Sequence, residues 1–403
     1  MEQKVLELFA HFPVVAVLGA RQVGKTTLVE KLGIPGLKTF TLDSTIDLGG
    51  ARSDPDFFLQ QQPRPLFLDE VQYAPELLGS LKREVDRRQT PGQFLLSGSQ
   101  NLAVLRSVSE SLAGRVAIVE LWPLSLAELG GDPARTGWLE RAVRDEAFPE
   151  QQAVAVGPPA LFPLLWRGGL PGLLTLPDHL CPTYFSSYRQ TYIERDVRTA
   201  AGVSSLQHFG RFIGLLAALT ASEVNHNELG RELGVDRKTA LAWTGVAAAT
   251  YQWHEVPAYS RNAIKRLAGK PKGFFSDTGL ASHFQGLTSA EQLLHHPGAG
   301  QLFETWVFGE VKKRAATWNA GPNIFHYRTL AGAEVDLLLE MDGVLHPIEV
   351  KMTANPSGRD LRGIDSFRDT FPKARLGTGL LVCAIPAATR LRPDVWAVPW
   401  WEL

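Results

Sequence analysis

Residues 14–30 constrain the fold of this chain more than any other part of the sequence. The segment begins with the apolar run Val14–Leu18, bounded by Pro13 and Gly19, which is typical of a strand buried in a parallel sheet. From Lys25 onward the apolar residues recur at helical spacing. The sequence therefore predicts a strand, a glycine-bearing loop and a helix, in that order.

The loop between this strand and this helix fits the pattern G-x-x-x-x-G-K-[ST]. A loop that closes on a helix N-terminus directs several backbone N–H groups to one place, where the helix dipole adds positive potential. Gly19 and Gly24 would let the backbone approach phosphate oxygens, Lys25 would neutralise the β- and γ-phosphates, and the Thr26 hydroxyl would bind Mg²⁺. The expected nucleotide-binding residues are Gly19, Ala20, Arg21, Gln22, Val23, Gly24, Lys25, Thr26 and Thr27.

Composition narrows the class of protein. The 403 residues are enough for two or three domains, and 44% apolar with 21% charged residues is ordinary for a globular protein. A net charge of -1 means that any affinity for nucleic acid must come from a local patch. Two cysteines without a C-x-x-C pattern argue against a disulfide framework or zinc site and favour a reducing cytosol. No apolar run approaches 18 residues, so we expect a cytoplasmic protein without a membrane span.

Four further segments read as strands of the same sheet, at residues 38–42, 65–70, 93–99 and 116–121. The segment 65–70 ends in two acids. Asp69 would hold Mg²⁺, directly or through water, and Glu70 would polarise the attacking water. The segment 93–99 ends in small hydroxyl residues, so Ser97, Ser99 or Asn101 could contact the γ-phosphate or that water, or could equally be plain turn residues.

Strands that alternate with helices predict an α/β fold with a doubly wound parallel sheet and a ligand at the carboxyl ends of the strands. Residues 1–128 resemble a bacterial AAA-type ATPase domain, and Asp69 with Glu70 resembles the branch of P-loop ATPases that has an additional strand and a catalytic glutamate. The resemblance implies ATP as the nucleotide. It also places Arg115 at an arginine-finger position, acting on a neighbouring subunit's nucleotide in a homo-oligomer; an ordinary surface arginine is the alternative.

The middle of the chain divides into a helical connector, residues 129–200, and a winged-helix domain, residues 201–290. Apolar and small residues between 226 and 250 fall at helix-turn-helix spacing, with Gly234 in the turn and Asp236 capping the second helix. That helix would present basic and hydroxyl side chains at its start, namely Arg237, Lys238 and Thr239.

A basic loop follows the helix-turn-helix, and no acidic residue occurs between Val256 and Phe275. Its cationic side chains are Arg261, Lys265, Arg266, Lys270 and Lys272. The pattern predicts a positive wing that contacts the phosphates of double-stranded DNA. A purely structural role, as in a lid or a protein–protein module, is the alternative.

Residues 291–403 resemble the restriction-endonuclease-like fold with a PD-(D/E)xK motif, on the basis of Asp336, the Glu349-x-Lys351 strand and a preceding helix that bears Glu304. The resemblance implies that Asp336 and Glu349 bind Mg²⁺, that Glu304 adds a carboxylate and that Lys351 positions or activates water. Glu310 is an alternative to Glu304.

These parts, in this order, resemble a widespread family of prokaryotic AAA-type ATPases with an endonuclease-like C-terminal domain. Two functions stay open. The first is an oligomeric, Mg²⁺-dependent ATPase that couples ATP hydrolysis to DNA binding, with or without DNA cleavage. The alternative is a nucleotide-switched regulatory scaffold that binds a protein partner and carries a catalytically silent nuclease-like domain.

Overall fold

The computed structural model of the chain describes residues 1–43, 45–100, 112–146, 148, 161–197, 203, 205–262 and 269–402. In the N-terminal part, the helices and strands are α1 Glu2–His11, β1 Val14–Leu18, α2 Lys25–Lys31, β2 Lys38–Thr41, α3 Thr45–Ser53, α4 Pro55–Gln61, β3 Leu66–Asp69, α5 Leu77–Arg88, β4 Phe94–Gly98 and β5 Val116–Glu120. The chain also forms 3₁₀ turns at Val71–Tyr73, Pro171–Leu173, Asp178–Leu180 and Gly358–Leu361.

The five N-terminal strands form one parallel sheet in the order β2-β3-β4-β1-β5. Every residue of β1, β3 and β4 is buried, as expected for a sheet covered on both faces. This confirms the doubly wound parallel sheet of a P-loop ATPase fold. Because β4 lies between β1 and β3, the loops that follow these three strands meet at one edge.

The middle part of the chain is mainly helical. Its elements are α6 Leu126–Leu129, α7 Trp138–Val143, α8 Leu161–Arg167, α9 Cys181–Thr191, a π-helix Tyr192–Val197, α10 Leu206–Ala218, β6 Ser222–Glu223, α11 His226–Leu233, α12 Arg237–Ala249, β7 Trp253–Val256, β8 Lys272–Phe275, α13 Thr278–Phe284 and α14 Ala290–Leu294. The three strands form an antiparallel sheet in the order β6-β8-β7.

Helices α11 and α12 are joined by a tight turn. Gly234 ends α11 with φ 69°, a left-handed conformation that favours glycine. A Cβ on Gly230 would lie 2.7 Å from the Val235 carbonyl oxygen, so the small residue allows the two helices to cross closely. The Asp236 carboxylate caps α12 by accepting a hydrogen bond from the Thr239 N–H at 2.6 Å. The assignment of this region to the winged-helix class stays a prediction.

The C-terminal part consists of α15 Ala299–Ala315, β9 Asn323–Arg328, β10 Glu334–Met341, β11 Val344–Val350, α16 Arg362–Thr370, β12 Gly379–Cys383, β13 Thr389–Arg392 and β14 Val395–Pro399. Its six strands form a mixed sheet in the order β13-β14-β12-β11-β10-β9. Strands β9, β10 and β11 pair antiparallel, whereas β12 runs parallel to β11 and to β14. Both cysteines are buried and free.

Residues 257–259, which follow β7, do not belong to a free wing. The Tyr259 N–H donates to the His326 carbonyl at 2.7 Å, and the His326 N–H donates to the Pro257 carbonyl at 3.1 Å, so these residues pair with β9. Lys272 is only 5% exposed, so its predicted place in a solvated basic loop is wrong: β8 turns its side chain toward α15. Arg261 and Lys270 are exposed.

Two of the other predicted wing residues, Lys265 and Arg266, lie outside the described part of the chain. Among the helices that the structure describes, none combines the length and the apolar character that crossing a membrane requires.

Candidate functional site

The phosphate-binding loop is shaped by its two glycines. A Cβ on Gly19 would lie 2.2 Å from the Leu121 carbonyl oxygen, which is too close for any side chain. Gly24 has φ 95° immediately before α2, a conformation that other residues rarely adopt. The sequence therefore forms a tight loop at the carboxyl end of β1 that continues directly into the helix.

The two residues after Gly24 lie where the motif requires them. The Lys25 side chain is buried, and its ammonium donates to the carbonyls of Gly19 at 3.1 Å and Ala20 at 2.9 Å. The Thr26 hydroxyl donates to Asp69 Oδ2 at 2.9 Å. Burial lowers the pKa of Lys25, and the charges of Glu70 and Asp69 act against this shift. A threonine hydroxyl next to an aspartate at a phosphate loop is a suitable pair of Mg²⁺ ligands.

The acids that end β3 are held from the neighbouring strand β4. The Ser97 hydroxyl donates to Asp69 Oδ1 and accepts from the Glu70 N–H at 3.0 Å. Glu70 itself has φ 58°, a left-handed conformation that is uncommon outside glycine and is often found at functional sites. The Gln72 amide donates to the Glu70 carboxylate and to the Ser99 hydroxyl. Ser97 and Ser99 thus support the two acids, while Asn101 lies outside the described residues.

A cavity of 380 Å³ opens beside the phosphate-binding loop. It is lined by residues of the loop and α2, by Glu70, and by residues from the middle part of the chain: Gln22, Gly24, Lys25, Thr26, Thr27, Glu70, Pro171, Gly172 and Tyr184. The Tyr184 hydroxyl donates to Gln22 Oε1 at 2.6 Å. Sequence reasoning missed Pro171, Gly172 and Tyr184, because only tertiary packing brings them to the loop.

Asp196 is a second residue that the motifs did not indicate. Its carboxylate accepts two hydrogen bonds from the Arg21 guanidinium, at 2.9 Å and 2.7 Å. The hydrogen bond to Asp196 raises the pKa of Arg21, and burial raises the pKa of Asp196 although Arg21 opposes this. Arg21 therefore connects the phosphate-binding loop to the π-helix that carries Asp196.

The C-terminal acids also come together. Asp336 lies near the start of β10 and Glu349 near the end of the antiparallel strand β11, on the side where α15 packs. Asp336 and Glu349 are each 1% exposed. Asp336 Oδ2 accepts from the Val350 N–H at 2.9 Å and from Lys351 Nζ at 3.4 Å, and Lys351 Nζ lies 3.3 Å from Glu349 Oε2. The side chain of Glu304 approaches from α15, as the resemblance implies.

Glu310, the alternative to Glu304, lies elsewhere. Its carboxylate accepts from the Leu126 N–H at 3.0 Å and pairs with Lys313 at 2.7 Å. Glu310 therefore ties α15 to the N-terminal end of α6 and takes no part in the C-terminal cluster.

Lys272 is an unexpected member of the C-terminal cluster. Its ammonium lies 2.5 Å from Glu304 Oε1 and 3.2 Å from Asp336 Oδ1. Within the described part of the chain, no group of three or more histidine, cysteine, aspartate or glutamate side chains converges closely enough to hold a metal ion. In this arrangement the residues present do not fit the Mg²⁺ that the resemblance implies.

The charges in the cluster shift each other's protonation. Burial, followed by the charge of Asp336, raises the pKa of Glu304 to about 8 and raises the pKa of Glu349 above its ordinary value. Burial also acts to raise the pKa of Asp336, but Lys272 and Lys351 outweigh it and hold that pKa below its ordinary value. Asp336 is therefore the carboxylate that carries the negative charge between the two lysines.

Comparison with known proteins separates the chain into three matched regions. Residues 11–130 match a family model described as an AAA domain, AAA_14. The chain carries an AAA-type P-loop ATPase domain. Residues 159–291 match a domain of unknown function, DUF8612, and residues 299–403 match another, DUF4143.

Two mycobacterial proteins are similar over more than this AAA domain, and one solved structure is also matched. The chain is 29% identical over 348 residues to the uncharacterized proteins Mb2031c of Mycobacterium bovis and Rv2008c of Mycobacterium tuberculosis, covering 86% of this chain and 71% of each relative. The structure of the Walker-type ATPase paby2304 of Pyrococcus abyssi is 14% identical, covers 70% of this chain and 94% of that chain, and gives a TM-score of 0.43.

Arg115 lies at the edge of the AAA domain opposite its phosphate-binding loop. It immediately precedes β5, whose first residue pairs with Val14 at the amino end of β1. Five residues of strand separate the two edges, roughly 16 Å. Arg115 Nε instead pairs with Asp86 Oδ1 at 2.5 Å. Arg115 therefore cannot serve the loop of its own chain, and its predicted action on a neighbouring subunit stays a prediction.

Proposed function

We propose that this protein is a Mg²⁺-dependent ATPase whose nucleotide cycle controls binding to double-stranded DNA. The observation that carries the proposal is the meeting of Lys25, Thr26, Asp69 and Glu70 at one edge of the parallel sheet. Lys25 would bind the β- and γ-phosphates, Thr26 and Asp69 would hold Mg²⁺, and Glu70 would orient the attacking water.

The helix-turn-helix is the proposed DNA contact. Arg237 and Lys238 are both exposed at the start of α12, where two cations and a helix N-terminus would face the phosphate backbone. The buried position of Lys272 removes one cation from the predicted wing, so this proposal rests mainly on α12, with Arg261 and Lys270 as further exposed cations.

Two buried tyrosines contact residues that follow α12, and one of them, Tyr188, also contacts the nucleotide loop. The Tyr188 hydroxyl donates to the Arg21 carbonyl at 3.4 Å and accepts from the Gln252 amide at 3.0 Å. The Tyr192 hydroxyl is 3.0 Å from Thr250 Oγ1, at the end of the same helix. These contacts support coupling, because a shift of the nucleotide loop would move the helix-turn-helix through them.

In this proposal Arg115 completes the ATPase site of a neighbouring copy, so the active form is a homo-oligomer. The C-terminal part is proposed to have the restriction-endonuclease-like fold, supported by its order of helix, three antiparallel strands, helix and parallel strand. No cleavage step is assigned to it. The position of Lys272 among its acids favours the second candidate, a silent C-terminal domain within a nucleotide-switched scaffold.

The experiment is ATP hydrolysis in Mg²⁺ with and without double-stranded DNA. It uses the full chain, the variant Arg237→Glu/Lys238→Glu, and the control variant Lys38→Glu/Lys82→Glu, which makes the same change of charge at two exposed lysines outside the helix-turn-helix. We expect DNA to stimulate hydrolysis by the full chain and the control, with an effect that weakens steeply between low and moderate salt.

The Arg237→Glu/Lys238→Glu variant should hydrolyse ATP at the basal rate and ignore DNA. Hydrolysis by the full chain that DNA leaves unchanged at low salt would contradict the DNA coupling and favour the scaffold that binds a protein partner. An equal loss of stimulation in both variants would remove α12 as the contact.

A further inference from the structure

The side chains of β8 and α15 meet in matching register. Residues two apart on a strand point to the same face, and so do residues four apart on a helix, and both spacings rise by about 6 to 7 Å. Lys272 and Phe274 form such a pair on β8, and Glu304 and Phe308 form the other on α15. The rings of Phe274 and Phe308 stack with centroids 4.1 Å apart, and Lys272 Nζ lies 2.5 Å from Glu304 Oε1.

The ammonium of Lys272 stands between acids of two different elements. Besides Glu304 of α15, it contacts Asp336 Oδ1 of β10 at 3.2 Å by a hydrogen bond. The residue is 5% exposed, so its charge has been taken out of water and depends on these two carboxylates. The other oxygen of Asp336 is engaged by the Val350 N–H and by Lys351.

A divalent cation bound by the same acids would need this position. Mg²⁺ binds carboxylate oxygens at about 2.0 to 2.1 Å, so it cannot share the space between Glu304 and Asp336 with an ammonium group.

We propose that the Lys272 ammonium takes the place of a divalent cation between Glu304 and Asp336. The ion pairs of Lys272 then hold the three-stranded sheet against the C-terminal domain. The cluster binds no Mg²⁺ while β8 packs against α15. The inference goes beyond the ATPase proposal and does not depend on it.

The main chain around Lys272 holds the ammonium in place. Lys272 pairs with Val256 on one side and with Glu223 on the other, so it lies in the central strand of its sheet. A Cβ on the next residue, Gly273, would meet the Trp253 ring at 1.8 Å, so only glycine allows Trp253 to cover the strand. The main chain of Lys272 is therefore fixed in the centre of this sheet.

The test is binding of Mn²⁺, as a probe for a divalent cation, to the full chain without nucleotide. Free Mn²⁺ is measured by electron paramagnetic resonance during titration. The variants are Lys272→Met, which keeps an unbranched side chain as far as Cε and removes the ammonium; Asp336→Asn; Lys272→Met/Asp336→Asn; and Lys373→Met, a control at an exposed lysine of the C-terminal domain.

In the full chain and in Lys373→Met, we expect no Mn²⁺ site that depends on Asp336. Lys272→Met should gain one site, at least tenfold tighter than any in the full chain, and the double variant should lose it. Mn²⁺ should also raise the melting temperature of Lys272→Met but not that of the full chain, because a ligand stabilises the state that binds it.

Two results would overturn the proposal. One is stoichiometric Mn²⁺ binding by the full chain that disappears in Asp336→Asn. The other is a folded Lys272→Met that gains no site. If Lys272→Met fails to fold, the comparison of the full chain with Asp336→Asn decides alone: a cation site that depends on Asp336 overturns the proposal, and its absence supports it.

Discussion

Arg21 and Asp196 form a bidentate ion pair across 175 residues of sequence, with the guanidinium donating to both carboxylate oxygens at 2.9 Å and 2.7 Å. The side chains are 16% and 3% exposed. One partner belongs to the phosphate-binding loop and the other to the π-helix that follows α9. The pair thus joins the nucleotide site to the part of the chain that leads to the helix-turn-helix.

Removing one partner of this pair should destabilise the protein. Asp196→Ala leaves Arg21 partly buried without its counter-charge, and breaking a buried pair in this way costs about 3 kcal/mol. We expect a clear fall in the melting temperature of the first thermal transition. The double variant Arg21→Met/Asp196→Leu should recover part of the loss, and a double variant no more stable than Asp196→Ala would contradict a direct coupling between the two residues.

Lys25→Ala should weaken ATP binding at least tenfold, or about 1.4 kcal/mol, because the buried ammonium is the cation closest to the predicted phosphates. The fold should survive, since the Lys25 ammonium contacts only two carbonyls of its own loop among its described hydrogen bonds. Fluorescent-nucleotide titration measures the affinity. Lys31→Ala, an exposed lysine at the end of α2, is the control; normal ATP turnover by Lys25→Ala would refute the assignment of the site.

The contact between Thr26 and Asp69 predicts how ATP hydrolysis depends on Mg²⁺. Thr26→Val removes the hydroxyl that faces Asp69 at 2.9 Å, so half-maximal hydrolysis should require a several-fold higher Mg²⁺ concentration. Thr26→Ser keeps the hydroxyl and should behave like the unmodified chain. An identical Mg²⁺ dependence in Thr26→Val and Thr26→Ser would show that this hydroxyl does not bind the metal.

His326 predicts a loss of stability in mild acid. Burial lowers its pKa from an ordinary value near 6.5, while its bond to the Lys270 carbonyl opposes the shift. Between pH 6.5 and the lower pKa, the unfolded chain binds a proton that the folded chain does not, so stability falls as the pH falls, by at most about 1.4 kcal/mol per pH unit.

The matched variant for this prediction is His326→Gln, which keeps a polar side chain and does not titrate. The decrease in melting temperature from pH 7 to pH 5 should be smaller in His326→Gln than in the unmodified chain. Equal decreases in the two proteins would show that His326 does not contribute to the acid sensitivity.

The features that the sequence predicts well are encoded by neighbouring residues. The strand Val14–Leu18, the loop ending at Thr26 and the acids Asp69 and Glu70 each follow from a short pattern, and the structure differs from the predicted strand bounds by one or two residues at most. Helix α15 and the acids of β10 and β11 were likewise expected, and their side chains meet.

The residues that were missed depend on packing between distant elements. Tyr184 and Asp196 reach the nucleotide loop because α9 and the π-helix lie against it. No short sequence pattern predicts that contact. Lys272 is a charged residue close to other basic residues in the sequence, which is typical of a solvated loop. Its alternation with Phe274 was the one local sign that it belongs to a strand with a buried face, and only the register against α15 shows which acids it meets.

The most direct test of the ATPase account is hydrolysis of ATP in Mg²⁺ by the full chain beside Glu70→Gln, with ATP affinity measured for both proteins. We expect the full chain to hydrolyse ATP. Glu70→Gln should bind ATP with an affinity within a few-fold of that of the full chain but hydrolyse it at least 100-fold more slowly, because the glutamine cannot accept the proton of the attacking water. Equal hydrolysis by the two proteins, or no hydrolysis by the full chain at saturating ATP and Mg²⁺, would contradict this account.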